Sequence, residues 1–596
     1  MNRSFQPFQL TSESDHGERP AVHPGGRARP AASGLSIASA VSLLCALAGA
    51  MAAVPQALAQ AAPPPPPDAG RVLRDVQAQP LATVPGTVPT LLLPADADVI
   101  ADAGLRFKVS AMRIEGNTLI PSAELLAAVG ALAGREYSLA ELRKAAARIT
   151  ALYRERGYLV ARAYLPAQEI SDGVVLVQVL EGRLGESTVA NQSIVGTPVI
   201  EAVIRAQGLA GQPLRAGDLD RELLLVADLP GAGAVSGNLK PGLEVGGSDL
   251  FVAVEPGKRS QGQITADNHG NRYTGQKRLG GALDINSPFA MGDRLSLRGT
   301  VTDEALLYGQ ASYDVPVNGD GLRAGAVLST SHYDLGAEFA RLEASGVANT
   351  AGLYATYPLV RGVGANVWIR AALNHRQLKD EVRAVALAVD KSADAFSLDL
   401  YGDLQDHADK YGGGAYNTWR LSLVAGKLDI ETPLARQVDE AGPRTGGGYR
   451  KFEFAASRLQ AITAQTSAYA AVAGQWAGKN LDSSEKFAIG GIYGVRAYPQ
   501  GEGVGDSGWL ANLELRQELP GQLQGSVFYD YGHVTYNQSA YAAGQNNRDL
   551  KGYGVALGAR QGAFDARATL AWRSGPQATS APDRNPRLWL MGRWTF

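Results

Sequence analysis

One cysteine stands in the 596 residues, Cys45. It lies inside the N-terminal apolar run, so the mature chain is expected to hold neither disulfides nor thiolate metal sites. Charge of one sign is lacking too. The net charge is -2, which leaves no basic field of the kind nucleic-acid binding needs. Beyond the N-terminus no run of eighteen apolar residues occurs, which excludes a helical membrane protein. It does not exclude a membrane barrel, whose strands alternate and keep mean hydropathy near zero. The histidines of the mature chain, His269, His332, His375, His407 and His533, are scattered without metal spacing. No Walker loop is present, so nothing here is set up to hydrolyse a nucleotide. No metal, no cofactor and no catalytic residue is expected.

What is present begins with LSIASAVSLLCALAGAMAAVPQALAQ, which follows Arg27 and Arg29 and ends on Ala57-Leu58-Ala59. A basic n-region, an apolar h-region and a small-residue end make residues 1–59 a signal peptide and imply export. Residues 60–106 hold a proline block, Pro63 to Pro67, and a further proline-containing stretch to Pro94, both favouring extended chain. Between them Val72, Leu73 and Val76 fall at helical spacing, so residues 68–77 read either as a short helix on a tether or as plain disorder.

From Phe107 the pattern becomes that of small α+β units. FKVSAMRIEGNTLI reads as a strand and turn. SLAELRKAAARITALYRERG reads as a helix with a Ser138/Glu141 capping box and a stripe of Leu139, Leu142, Ala146, Ile149 and Tyr153, stopped by Gly157. Two strands, YLVARAYLPAQ and GVVLVQVLEG, complete a β-α-α-β-β unit over residues 107–185. A weaker copy over 186–257 has helical PVIEAVIRAQG and DLDRELLLVADLPG and closing strands AVSGNLKPG and SDLFVAVEPG.

Over residues 258–596 the helical period is gone. DRLSLRGTV sets Leu295, Leu297 and Val301 against Arg294, Ser296, Arg298 and Thr300, and TWRLSLVAGK, LQGSVFYDYG and RLWLMGRWTF alternate likewise. About 16 such segments over roughly 340 residues fit antiparallel membrane strands and their connections. A soluble sheet of this size with Trp, Leu and Tyr on one face needs a second layer to cover it; in a transmembrane barrel, lipid is that cover. The predicted fold is therefore mainly β: a transmembrane antiparallel barrel of about 16 strands behind two small α+β units. Counted from the periplasm, GGIYGVRAYPQGEGVGDSG, residues 490–508, joins strands 11 and 12 on the outer side and is long enough to fold inward. Gly503-x-Gly505-x-x-Gly508 matches a dinucleotide fingerprint, but a strand rather than a helix follows it. Gly505-Asp506-Ser507-Gly508 matches a protease nucleophile loop without the rest of a triad.

Several strings carry a resemblance to a known family. GYLVARAYLP, VLEGRLGE, DLPG and SGNLKPG lie in the α+β units, and DNHGNRYTG, with Asp267, Asn268, Gly270, Tyr273 and Gly275, follows the first barrel strand. Val495-Arg496-Ala497-Tyr498 sits in the long loop, Phe528-x-Asp530-x-Gly532 in a wall strand, and the chain ends on Trp594 and Phe596. With these the chain resembles the two-partner secretion transporters of the TpsB, or ShlB/FhaC/HecB, family within the POTRA-barrel superfamily, from residue 68 to residue 596. The resemblance implies that the α+β units are polypeptide-transport-associated (POTRA) domains, that residues 68–77 plug the pore, and that Arg496 pairs with Asp530. It implies that Trp594 and Phe596 form the insertion signal. It further implies an outer-membrane pore, not an enzyme, that recognises a partner exoprotein of adhesin or haemolysin type and passes it to the cell surface without nucleotide hydrolysis. Lipid, periplasmic chaperones and the outer-membrane assembly machinery would be its other partners; the alternative is an assembly factor of the same superfamily. One position departs from the family, which has glycine where this chain has Ala497; a left-handed backbone there would strain an alanine.

Overall fold

The computed structural model describes residues 67–77, 89–92, 106–131, 134–170, 172–406 and 414–596. The expected signal peptide with Cys45, most of the proline block, the rest of the linker and His407 lie outside them. No described helix is long and apolar enough to cross a membrane.

Helix α1 (Ala69–Gln77) is the first element, and the three-residue strand β1 (Thr90–Leu92) the second. The stretch FKVSAMRIEG, read above as one strand, is broken at Ser110 into β2 (Arg106–Val109) and β3 (Ala111–Glu115). The Ser110 and Ala111 amides leave their neighbours to donate to the Gly173 carbonyl, which turns the chain. After α2 (Ser122–Val129) comes a strand that the periodicity missed, β4 (Arg135–Ser138), antiparallel to β2. Helix α3 (Leu139–Glu155) begins with the reciprocal Ser138/Glu141 capping box; it buries Ala146, Ile149 and Tyr153 against β3, β5 (Arg162–Tyr164) and β6 (Val174–Leu180), and Leu142 against Val109 of β2 and Val175 of β6. The second unit begins at β7 (Arg183–Asn191), a strand that crosses the expected boundary at 185/186 and moves it three residues back, and has the plain β-α-α-β-β order with α4 (Thr197–Ala206), α5 (Ala216–Ala227), β8 (Ala232–Pro241) and β9 (Gly247–Pro256). Its core is formed by Ile200, Leu219, Leu223, Leu250 and Val252.

Sixteen antiparallel strands then close into a barrel, from Ser260–Asp267 to Arg587–Thr595. The first and last strands pair over Gln263↔Thr595 to Asp267↔Met591, and closure leaves no edge. The alternation sorts side chains as the sequence demands: Leu353, Leu373, Leu423 and Leu513 stand on the outer face, each more than half exposed. Lumenal positions carry Ser, Asp, Arg and Tyr.

The second unit rests on the connections that run from even to odd barrel strands. The Gly196 amide donates to the Ala290 carbonyl, the Ser287 hydroxyl to the Pro230 carbonyl, and Arg361 makes a two-pronged pair with Asp228 at 2.7 Å. The connection between strands 11 and 12, residues 478–506, therefore starts from the opposite rim. It does not stay there.

Candidate functional site

The loop turns into the lumen at the short ladder Phe487–Ala488 with Val504–Gly505. Its tip is held by a turn in which the Val495 amide donates to the Ile489 carbonyl and the Tyr498 amide to the Val495 carbonyl. Val495, Ala497 and Tyr498 are thereby buried against the wall strand Leu523–Thr535, which presents Phe528, Asp530 and Gly532 inward while Tyr529 faces out. Glycines make the hollow that receives the tip. A Cβ on Gly532 would lie 2.9 Å from Ile489 Cβ, one on Gly552 would lie 2.6 Å from Ala497 Cβ, and one on Gly554 would lie 2.4 Å from the Phe528 ring.

Arg496 is the charge in this hollow. Its Nε donates to Asp530 Oδ2 at 3.0 Å and its Nη2 to Asp530 Oδ1 at 2.9 Å, a fork on a fork, while its backbone amide donates to the same Oδ2 at 3.0 Å. Its Nη1 donates to Glu514 Oε2 at 2.8 Å, and its guanidinium carbon stands 3.4 Å above the Phe528 ring. Trp589 Nε1 donates to the Arg496 carbonyl at 2.7 Å. Asn512 ties loop to wall by donating to Asp530 Oδ1 at 2.8 Å and to the Gly494 carbonyl at 3.0 Å. Beyond the tip, Glu502 is wholly buried; it accepts from the Thr579 and Ser580 amides and hydroxyls and pairs with Arg548 at 2.6 Å.

The four loop residues and the three wall residues singled out from sequence are thus in one cluster. Glu514, Asn512, Trp589, Glu502, Gly552 and Gly554 were not singled out. Strand parity held a signal for the first three: Asn512 and Glu514 alternate with outward Leu513 and Leu515, and Trp589 alternates with outward Leu588 and Leu590. Ala497 is not among the residues with a left-handed backbone. Gly552, which has no side chain, leaves room for the Ala497 methyl.

The DNHGNRYTG stretch forms a second junction. The Asn268 side chain donates to the Leu588 carbonyl at 3.0 Å and accepts from the Leu590 amide at 2.8 Å, clamping the barrel seam. Asp267 holds Arg278 at 2.8 Å, and Gly270 is required because a Cβ there would lie 2.0 Å from the Gly275 carbonyl oxygen. Asn271 donates both to Asp75 of α1 and to the Gln500 carbonyl of the inward loop, each at 3.4 Å. Tyr273 packs against α1.

Helix α1 lies in the lumen at this junction. Asp68 caps it, accepting from the Arg71 amide at 3.0 Å, and the Ala69 amide donates to Asp380 at 2.8 Å. Lys391 bridges Asp68 at 3.3 Å and Asp482 at 2.9 Å. Arg71 donates to the Gly501 carbonyl at 2.8 Å, and Arg74 to the Ser483 and Lys486 carbonyls at 3.1 and 3.3 Å. Val72 and Leu73 bury against Leu306, Tyr308, Tyr333 and Leu378 of the wall. Val76 and Gln77 face a lumenal cavity of about 1420 Å³, also lined by Arg298, Arg370, Tyr401 and Arg420 and reaching Asp228 of the second α+β unit. Trp594 and Phe596 stand apart from all this, half exposed on the outer face of the last strand.

In the first α+β unit, Glu181 follows β6 and accepts from the Thr118 hydroxyl, the Thr118 and Leu119 amides and the Tyr153 hydroxyl. Burial alone would raise its carboxyl; these bonds outweigh it and hold the group below the ordinary range. No group of histidine, cysteine and carboxylate side chains among the described residues has metal-binding geometry.

A closed sixteen-stranded barrel, a loop folded into it, a helix in the lumen and a POTRA domain ahead of it define a class: the outer-membrane transporters built on POTRA-preceded barrels. Within that class, the chain belongs to the haemolysin secretion/activation protein family ShlB/FhaC/HecB, whose model matches residues 246–561, and a ShlB-type POTRA domain matches residues 107–182. It is similar to the heme/hemopexin transporter protein HuxB of Haemophilus influenzae strain 86-028NP, with 27% identity over 87% of this chain and 92% of that one. It is also similar to the outer membrane transporter CdiB of Escherichia coli O6:K15:H31, with 24% identity over 73% of each chain. The solved structure of CdiB from Escherichia coli superposes with a TM-score of 0.66 at 20% identity, covering 89% of this chain and 96% of that one, which shows the shared fold. The chain is accordingly an outer-membrane transporter for exoprotein secretion, with its POTRA domain in the periplasm.

Proposed function

We propose that this transporter is the outer-membrane member of a two-partner secretion pair, passing one unfolded exoprotein of haemolysin or adhesin type through its lumen to the cell surface. Residues 107–182 and 183–257 act as two POTRA domains that receive the partner's extended N-terminal segment, as sheet edges accept an added strand. Helix α1 is the resting plug, and the Arg496–Asp530 fork keeps the inward loop on the wall while the partner passes. Folding of the partner outside drives the passage. Trp594 and Phe596 present the barrel to the assembly machinery, with periplasmic chaperones carrying it there. The observation that carries this reading is α1 seated in a closed barrel and touched at once by the wall, the inward loop and the first connection.

Deleting residues 107–256 tests it. The barrel should still reach the outer membrane and export should stop, because recognition precedes entry. Export by the barrel alone would remove the recognition role. A general loss of other barrels from the outer membrane would favour the assembly-factor reading.

A further inference from the structure

The sheet of the second α+β unit has the order β1-β8-β9-β7, and β1 does not come from that unit. It comes from the linker, after the plug helix and before the first POTRA domain. Thr90, Leu91 and Leu92 run parallel to β8 in the register Thr90↔Ser236, Leu91↔Gly237 and Leu92↔Asn238. Without them β8 is an open edge, a row of unpaired amides and carbonyls ready to template another strand.

The edge also has a side-chain seat. Leu91 packs against the core of the unit, over a position where β8 has no side chain: a Cβ on Gly237 would lie 2.9 Å from Leu223 Cδ1 and 3.2 Å from Leu91 Cδ1. Leu92, by contrast, is 53% exposed. One leucine and three residues of ladder make a short, replaceable occupant, since ordering each residue costs about 1–2 kcal/mol of backbone entropy. It covers only Ser236–Asn238 of the ten-residue strand Ala232–Pro241, so a longer strand with an apolar residue at the same place gains ladder bonds that it does not make.

The position of this occupant gives it consequence. Residues 78–89 are all that separates the last residue of α1, Gln77, from Thr90. A strand docked on β8 therefore fixes the tether of the plug at a point on the POTRA sheet.

We infer that the β8 edge is the docking edge for an extended segment of the exported partner, and that Thr90–Leu92 is a placeholder the partner displaces, giving slack to the plug. The partner segment enters parallel to β8 with an apolar residue over Gly237. This rests on the two-partner reading above and adds to it a site, a direction and a coupling between recognition and opening.

The variant Thr90→Cys with Ser236→Cys tests it in the full chain, whose mature part otherwise has no cysteine. Oxidation should staple the placeholder onto β8 and abolish export of the partner; reductant should restore it, and neither single variant should be redox-sensitive. Undiminished export by the oxidised pair, or failure of the pair to cross-link in an inserted barrel, would overturn the inference. The parent chain in the same cells separates the two readings: if it exports no exoprotein, the two-partner reading fails instead. A second probe needs no partner. A synthetic peptide VPTLLLP, copying residues 88–94, added to the periplasmic side of channels in planar bilayers should increase their opening. The same peptide with aspartate at the Leu91 position should not. Equal action, or inaction, of the two peptides would remove the seat over Gly237.

Discussion

Two buried junctions in the lumen use the same residue type in opposite ways. At the loop tip, Arg496 is given carboxylates, Asp530 in a two-pronged pair and Glu514 on the remaining nitrogen. On helix α1, Arg71 and Arg74 reach the barrel through main-chain carbonyls, those of Gly501, Ser483 and Lys486. Among the described residues the ion pair from α1's cap to the barrel is Asp68–Lys391, and Lys391 lies nearer Asp482, at 2.9 Å against 3.3 Å. Withdrawing Arg496 would strand a fully buried Asp530. Withdrawing α1 returns carbonyls to water and leaves Lys391 with Asp482. A bare buried charge is far more costly than a re-solvated carbonyl. These contacts agree with the proposed function, in which the loop stays and the helix leaves.

The largest expected effect comes from breaking the junction that stays. Arg496→Ala leaves the buried Asp530 without a cation, while Glu514 keeps Arg516 and Arg567, a loss of roughly 3–5 kcal/mol. The many strand pairings survive that, so the barrel should insert and remain heat-modifiable on gels while export into the medium is lost. Asp530→Ala should fail alike, and the double variant should be no worse than either single, because both remove one interaction. Arg496→Lys should fail as well, since an ammonium cannot hold the fork, the second carboxylate and the Phe528 face together. Additive losses would show that the two residues act separately.

A smaller effect should follow at the junction that leaves. Deleting residues 69–77 should raise single-channel conductance in planar bilayers while the barrel's stability is unchanged, and Asp68→Ala should give the same change in milder form, since it unties α1 while Lys391 keeps Asp482. A nine-residue helix is too short to hold itself together in water, so it persists only where it is lodged. Unchanged conductance on deletion would take α1 out of the conducting path and erase the contrast between the two junctions.

How much of this was legible beforehand differs by element and for physical reasons. The barrel was legible because a period of two over many segments is a long, redundant signal, and the α3 cap because Ser138 and Glu141 are local. The tetrad and the wall motif were legible through resemblance rather than spacing; alternation alone put Asp530 in the lumen but gave it no partner. Strand β4 was missed because REYS has one buried residue in four, and the break at Ser110 because a Gly173 carbonyl from far along the chain makes it. Strand β1 was hidden in a proline-bounded segment whose pairing depends wholly on β8. Glu514 and Gly552 are important through what they face across strands, and one strand read by itself does not report that.

The smallest effect sharpens the fixed junction at the scale of one methyl. Ala497 stands where the family resemblance implies glycine, yet its backbone is not left-handed, so it carries no φ strain. Its methyl occupies the space Gly552 leaves on the neighbouring wall strand, where an added Cβ would approach to 2.6 Å. Gly552→Ala should therefore push the loop tip off the wall, and since the opposing atom is a short, rigid methyl rather than a flexible chain end, relief has to come from the backbone. Overpacking of this kind costs about 1–3 kcal/mol and should lower export without abolishing it. Ala497→Gly alone should cost less, on the order of 0.5–1 kcal/mol, through added chain entropy. Combined, the two changes exchange the methyl from loop to wall, and export should return close to the parent level. If the double variant is as poor as Gly552→Ala, the methyl is not what fills the gap, and the alanine has no compensating partner in the wall.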